Sequence, residues 1–312
     1  MKDIKTEIID TTEQIRNLVD WLHVRHALPV PNSPTMYIDL EGVDLCREGS
    51  ISILTLLIDT GIPTGRVCLI DVHTLGAEVF ETAGAKGKTL KNILEDEHIP
   101  KVFFDVRNDS DALFAHFGIA LQGIEDVQLM ESAERKTTAS RKFLNGLAKC
   151  VEDNAVVLAS FGGPKVASWK LAKQKGERLF KAAYGGSYEI FNKRPIPEDI
   201  ISYCAGDVQY LPDLRNMFQR RQINQRRDLV REESRKRVMM SQRSDYQPHG
   251  PNRAMAPWSK AQNDILDKCN YVAPYDPDWL FDEEEEEDWI DEGPTSCRDI
   301  ISEWDYRFYY SD

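Results

Sequence analysis

The apolar positions change period along the chain. Residues 5–27 begin extended and turn helical, with Thr11 and Thr12 able to cap and Glu13 and Gln14 in the first turn. Pro29, Pro31 and Pro34 then interrupt the pattern. YIDL (37–40) reads as a short apolar strand, ISILTLLID (51–59) as a β-rich one and RVCLID (66–71) as a third. Gly49 and GIPTG (61–65) separate them as turns, and three strands with short links predict an antiparallel meander. Helical spacing follows at 89–97 (TLKNILEDE), a short buried strand at 101–105 (KVFFD), and helical spacing again from Asp109, with apolar residues at 113, 114 and 117. VQLME (127–131) reads as the start of a strand. Residues 140–215 are mostly helical, broken at 162–164, at Gly185 and Gly186, and at Pro195 and Pro197. Strands first, then strands alternating with helices, then helices predict a mixed α/β sheet covered by helices.

Periodicity fades after residue 244, where five prolines (248, 251, 257, 274, 277) precede seven consecutive acids at 282–288. Such a run predicts a solvated, disordered tail. Six aromatics from Trp289 to Tyr310 add the expectation of a segment that docks on a protein partner or folds back. The net charge of −13 resides in this tail: residues 276–312 hold 15 acids against two arginines, leaving 37 charges of each sign in the rest. Residues 213–243 hold ten Lys and Arg against four acids, which suits either a nucleic-acid contact or a solvated helix.

With 312 residues and 41% hydrophobic content the chain has room for a sizeable core. Six scattered cysteines (46, 68, 150, 204, 269, 297), without metal-ligand spacing, suggest reduced thiols. MKDIKTEIIDTTEQ has no apolar core of a secretory signal, and no apolar run reaches membrane-spanning length. These features predict an intracellular protein, nuclear or cytoplasmic, without a membrane partner.

Three short motifs carry chemistry. Asp39 and Glu41 in YIDLEG share one face of a strand, while Ile38 and Leu40 point the other way. Adjacent carboxylates on an apolar strand repel and are costly to desolvate unless a cation compensates, although a solvent-facing pair is the commoner case. Asp109 in VRNDSDALF opens a helix, where an N-cap is the ordinary role; by local chemistry Asp105 and Asp111 compete with it. Tyr203 and Asp207 in YCAGD lie one helical turn apart on one face, an arrangement equally open to a surface tyrosine and a solvated acid.

In this order the motifs resemble the DEDD superfamily of 3′–5′ exonucleases, in the subgroup with a tyrosine in its third motif, which includes ribonuclease D, the Werner-type exonuclease and polymerase proofreading domains. The resemblance covers residues 34–215: YIDLEG with SISILTLLI, then KVFFDVRNDSDALFAHFGI, then RPIPEDIISYCAGDVQYL. Counting back from Phe117 and Gly118, as the family's helix length requires, selects Asp109 over Asp111. Phe104 stands where many relatives have His, and nothing past residue 244 matches.

The resemblance implies an α/β, ribonuclease H-like mixed sheet, an antiparallel meander followed by parallel strands, flanked by helices. It implies an exonuclease domain at 34–215; pattern and composition add an N-terminal extension packing on it at 1–33, a basic helical segment at 216–243, and an acidic, largely disordered tail at 244–312. The implied activity is hydrolysis of RNA or DNA from a free 3′ end, releasing nucleoside 5′-monophosphates. Asp39, Glu41, Asp109 and Asp207 would bind two Mg²⁺ or Mn²⁺, which supply a nucleophilic water and stabilise the leaving 3′ oxygen. Tyr203 would hydrogen-bond the attacking water. Leu40 and Val43 would contact the terminal nucleotide, and Lys193 and Arg194 the phosphates. Relatives that have lost carboxylates act as RNA-binding adaptors, so a catalytically silent adaptor on the same fold is the alternative, and a scaffold that recruits partners through its acidic tail is another. A tail folding over the basic surface would inhibit nucleic-acid binding in a salt-sensitive manner.

Overall fold

The computed structural model describes residues 5–27, 35–59, 66–160, 166–221 and 223–270. The chain divides into two units, Met1–Tyr271 and Val272–Asp312. The second unit and the expectations made for its acidic and aromatic residues lie outside the described residues.

Six strands form one sheet: β1 (Lys5–Ile9), β2 (Thr35–Glu41), β3 (Ile53–Asp59), β4 (Arg66–Asp71), β5 (Lys101–Phe103) and β6 (Ile124–Asp126). Their order is β1-β4-β3-β2-β5-β6. β2, β3 and β4 form the antiparallel meander, with Asp39 opposite Thr55 and Thr55 opposite Leu69. β5 joins β2 in parallel, β6 joins β5 in parallel, and β1 joins β4 in parallel.

Alternation along the strands sorts the core into two layers. Met36, Ile38, Leu40, Leu54, Leu56 and Ile70 face one side, where α1 (Thr12–Ala27) covers them. The apolar stripe of α1 is Ile15, Leu18, Val19 and Leu22, at i, i+3, i+4 and i+7, all at most 1% exposed. Tyr37, Ile53, Leu57, Val67 and Leu69 face the other side. The longer helices in chain order after α1 are α2 (Arg107–Phe117), α3 (Val127–Glu134), α4 (Val166–Phe180), α5 (Glu198–Gln209), α6 (Leu211–Arg221), α7 (Asn224–Ser241) and α8 (Lys260–Cys269). α2 contributes Ala112 and Leu113 to the first layer, and α3 to α6 build the second.

Two expectations change and a third is sharpened. VQLME (127–131) is not a strand start but the first turns of α3; the strand is the three-residue β6 before it. Asp126 decides the switch, because its carboxylate accepts the Gln128 N–H at 3.0 Å as an N-cap. Within the segment expected to pack on the domain, residues 5–27 build part of the sheet layer itself: β1 is a strand of the sheet and α1 covers one face. The folded unit also runs beyond 244, through α8. Its anchors are single and aperiodic: Trp258 donates to Ser132 Oγ at 3.0 Å, Leu266 is fully buried, and Asp267 pairs with Arg141. Five cysteines are free among the described residues, and no helix there is long and apolar enough to cross a membrane.

Candidate active site

Asp39 and Glu41 end β2 on the face covered by α5 and stand between the neighbouring strands β3 and β5. The turn that follows is tight: a Cβ on Gly42 would lie 1.9 Å from the Ser50 carbonyl oxygen, so no side chain fits there. α5 begins after Pro197 and presents Tyr203 and Asp207 one turn apart, 9% and 6% exposed. Asp39, Glu41 and Asp207 each place a carboxylate oxygen within 4.8 Å of the others. Asp109, on the first turn of α2 and 6% exposed, stands outside that group of three but within the field of Asp39.

Asp111 has a different role. It is 1% exposed and accepts from Arg47 Nε at 2.7 Å and from the Arg47 N–H at 2.8 Å, so it anchors the turn after β2. Both acids are buried, and the contact with Arg47 separates the two that local sequence chemistry left nearly indistinguishable.

The electrostatics are those of carboxylates short of counter-ions. Burial raises the Asp39 carboxyl to about 8, and the charge of Asp207 adds to the rise while Lys173 opposes it. Burial and the charges of Asp39 and Asp207 push Glu41 well above the carboxylate range. Asp109 rises through burial and the charge of Asp39, and Asp207 rises through burial against the pull of Lys173. Burial and the same carboxylates raise Tyr203, so it keeps its proton, and its hydroxyl donates to Asp207. An all-oxygen donor set with excess negative charge fits a hard divalent cation such as Mg²⁺ or Mn²⁺.

A family model for 3′-5′ exonucleases matches residues 8–222. The chain belongs to the 3′-5′ exonuclease family. The piRNA biogenesis protein EXD1 of Mus musculus is 26% identical over 188 residues, covering 60% of this chain and 30% of that protein. The chain spans about a third of the length of such curated relatives. Trypanosoma brucei RNase D in complex with GMP shares the fold at a TM-score of 0.61 and 22% identity, over 85% of this chain and 72% of that one. Its complex with RNA U12 gives 0.60 and 21%, over 85% and 79%. The sheet is therefore the ribonuclease H-like one that the motifs led us to expect.

The remaining residues assigned from the exonuclease resemblance fare unevenly. Leu40 is 2% exposed in the layer opposite the carboxylates, so it packs and does not face the site; strand alternation between Asp39 and Glu41 requires this. Val43 is half-buried in the turn just after Glu41, and Lys193 is exposed. Arg194 spends all five N–H donors within the protein. Nε and one terminal nitrogen meet Asp71 at 2.5 Å, and the others reach the carbonyls of Phe191, Lys193 and Ser52 at 2.7, 2.9 and 3.2 Å. It fastens the segment before α5 to the end of β4 and has no donor left for a phosphate.

Two residues of the site escaped the sequence reading. Lys173 of α4 pairs with Asp207, and its ammonium lies 4.4 Å from the Tyr203 ring centre. Gly176, one turn on, lets α4 approach: a Cβ there would meet Tyr203 Cβ at 2.6 Å. A glycine inside the helical pattern WKLAKQKGERLF was a packing signal. Nothing distinguishes Lys173 from the neighbouring Lys170 and Lys175. A second group, Asp44, Cys46 and His249, gathers at the turn after β2, with His249 Nε2 3.2 Å from Asp44 Oδ1 and 4.0 Å from Cys46 Sγ.

Proposed function

We propose that the protein is a divalent-metal-dependent 3′–5′ exonuclease that trims RNA from a free 3′ end and releases nucleoside 5′-monophosphates. The observation that carries this reading is the approach of Asp39, Glu41 and Asp207 within 4.8 Å, with Asp109 in their field. These carboxylates come from a strand and two helices, so the sheet fixes their separation before any ligand arrives. Mg²⁺ or Mn²⁺, when bound, would supply a nucleophilic water near neutral pH and neutralise charge on the leaving 3′ oxygen. Asp39, Glu41, Asp109 and Asp207 would hold the cations. Tyr203, kept protonated, would orient the attacking water through its hydroxyl, positioned by the contact with Asp207. RNA as the substrate is supported by the likeness to an RNase D seen with RNA U12 and to a piRNA biogenesis protein.

The test uses 5′-labelled single-stranded RNA and DNA with Mg²⁺, Mn²⁺ or EDTA. A ladder that shortens from the 3′ end on RNA, faster than on DNA and abolished by EDTA, is the expected result. Binding of RNA without cleavage in either metal would mark a silent adaptor and refute the reading.

A further inference from the structure

Lys173 is the cation paired with Asp207 in this site. Its side chain is 15% exposed and its partner Asp207 is 7% exposed. Asp39 and Glu41 also act on its charge, so one ammonium serves three carboxylates. Two features separate this arrangement from an ordinary buried ion pair. Asp207, which holds the ammonium, and Asp39 and Glu41, whose charges act on it, are the three that converge within 4.8 Å, so a divalent cation would compete with it for this group. The ammonium also has a partner besides carboxylate: the Tyr203 ring at 4.4 Å, the Trp169 ring at 5.9 Å and the Tyr203 hydroxyl at 3.4 Å. Such rings attract a cation that has left its anion. Trp169 is itself fixed, donating its indole N–H to the Gly206 carbonyl at 2.9 Å. A lysine's four-carbon stem lets the charge move while the helix stays in place.

We propose that Lys173 is the internal counter-ion of the metal site, bound to Asp207 in the metal-free protein, displaced along the Trp169–Tyr203 wall when a divalent cation enters, and there paired with the phosphate of the 3′-terminal nucleotide. The proposal rests on the metal-dependent reading above. It makes Lys173 a positioning residue that couples two events. Metal entry alone must break an ion pair and leave two cations close together. A phosphate offers the released ammonium a new anion, so metal and nucleotide strengthen each other's binding by the same factor.

Mn²⁺ binding is measured by calorimetry on the full chain at one fixed pH, with and without a nucleoside 5′-monophosphate. GMP is the probe because it is product and cannot be cleaved further. Wild type should bind Mn²⁺ about tenfold more tightly when GMP is present. Lys173→Met should bind Mn²⁺ more tightly than wild type without GMP, and lose most of the GMP effect. Lys173→Arg should keep that effect. Equal Mn²⁺ affinity in Lys173→Met and wild type, or an undiminished GMP effect, overturns the proposal while leaving the metal site standing. Absence of Mn²⁺ binding in every variant overturns the metal-dependent reading itself. Wild type alone gives an independent check should Lys173→Met fail to fold. Amine labelling read by mass spectrometry should show Lys173 slow without metal and several-fold faster with Mg²⁺, against the exposed Lys193 as reference. An unchanged labelling rate rejects the displacement.

Discussion

Around α7 the buried cations have anions of their own. Arg237 donates to Asp126 at 2.6 Å, and Arg226 faces Glu134 at 3.7 Å. At the end of β2 the arrangement is opposite: Asp39, Glu41 and Asp207 share Lys173. These pairs hold α7 to β6 and to α3. An unmatched set keeps carboxyls protonated or recruits a cation, at a cost in intrinsic stability. The basic run at 213–243, which sequence presents as a candidate polyanion contact, is therefore partly an internal fastening. Arg227, Arg231 and Arg235 remain exposed, along a cavity of about 460 Å³ floored by Ile124, Val230 and Val238.

Removing one acid from the unmatched set should have the largest effect. Asp39→Asn should lower cleavage about 10³-fold or more, measured as single-turnover rate. The same change should stabilise the metal-free protein at high pH. Because folding raises the Asp39 carboxyl from 3.8 to about 8, its contribution is fully present below 3.8 and disappears as pH rises through 8. Melting temperature of the metal-free wild type should therefore fall across that window, and the Asn variant should fall less. A steeper fall in the variant would contradict the charge account. Asp207→Asn is a poorer choice, since it strips Lys173 of its anion.

Breaking a matched pair should cost stability instead. Arg237→Met leaves Asp126, fully buried, without its cation, and urea denaturation should show a loss of about 3–5 kcal/mol. A loss below 1 kcal/mol would erase the distinction between the two regions. Tyr203→Phe deletes one hydroxyl and should slow cleavage about 10²-fold with Mn²⁺ affinity unchanged; an unaltered rate would reduce Tyr203 to packing. Arg235→Gln on the exposed face of α7 should change stability by no more than about 0.5 kcal/mol. A larger destabilisation would mean that this arginine too is an internal fastening.

What the sequence disclosed follows from the range of each signal. The meander was legible because β2, β3 and β4 are apolar runs of six or seven residues set apart by turn signals, whereas β6 has three residues and its helix begins at once. Periods of two and of four put Asp39 with Glu41 and Tyr203 with Asp207, and only the resemblance to the exonucleases joined the two pairs. Asp109 and Asp111 needed tertiary contacts to separate, the second being claimed by Arg47. Arg194 misled because a basic residue before a proline looks free until Asp71, 123 residues away, is brought beside it. Lys173 was invisible because its partner is 34 residues distant and its own neighbourhood is an ordinary charged helix.

The parallel pairing of β1 with β4 has a consequence for how the chain is made and handled. Lys5–Ile9 leaves the ribosome well before Arg66–Asp71, so the earliest strand waits for a partner that the meander must first deliver. A recombinant fragment cut at residue 34, the boundary the motifs suggest, would lack that strand. It would present the β4 backbone as an open edge, which is a template for intermolecular pairing, and fragments that begin ahead of Lys5 are the ones to express.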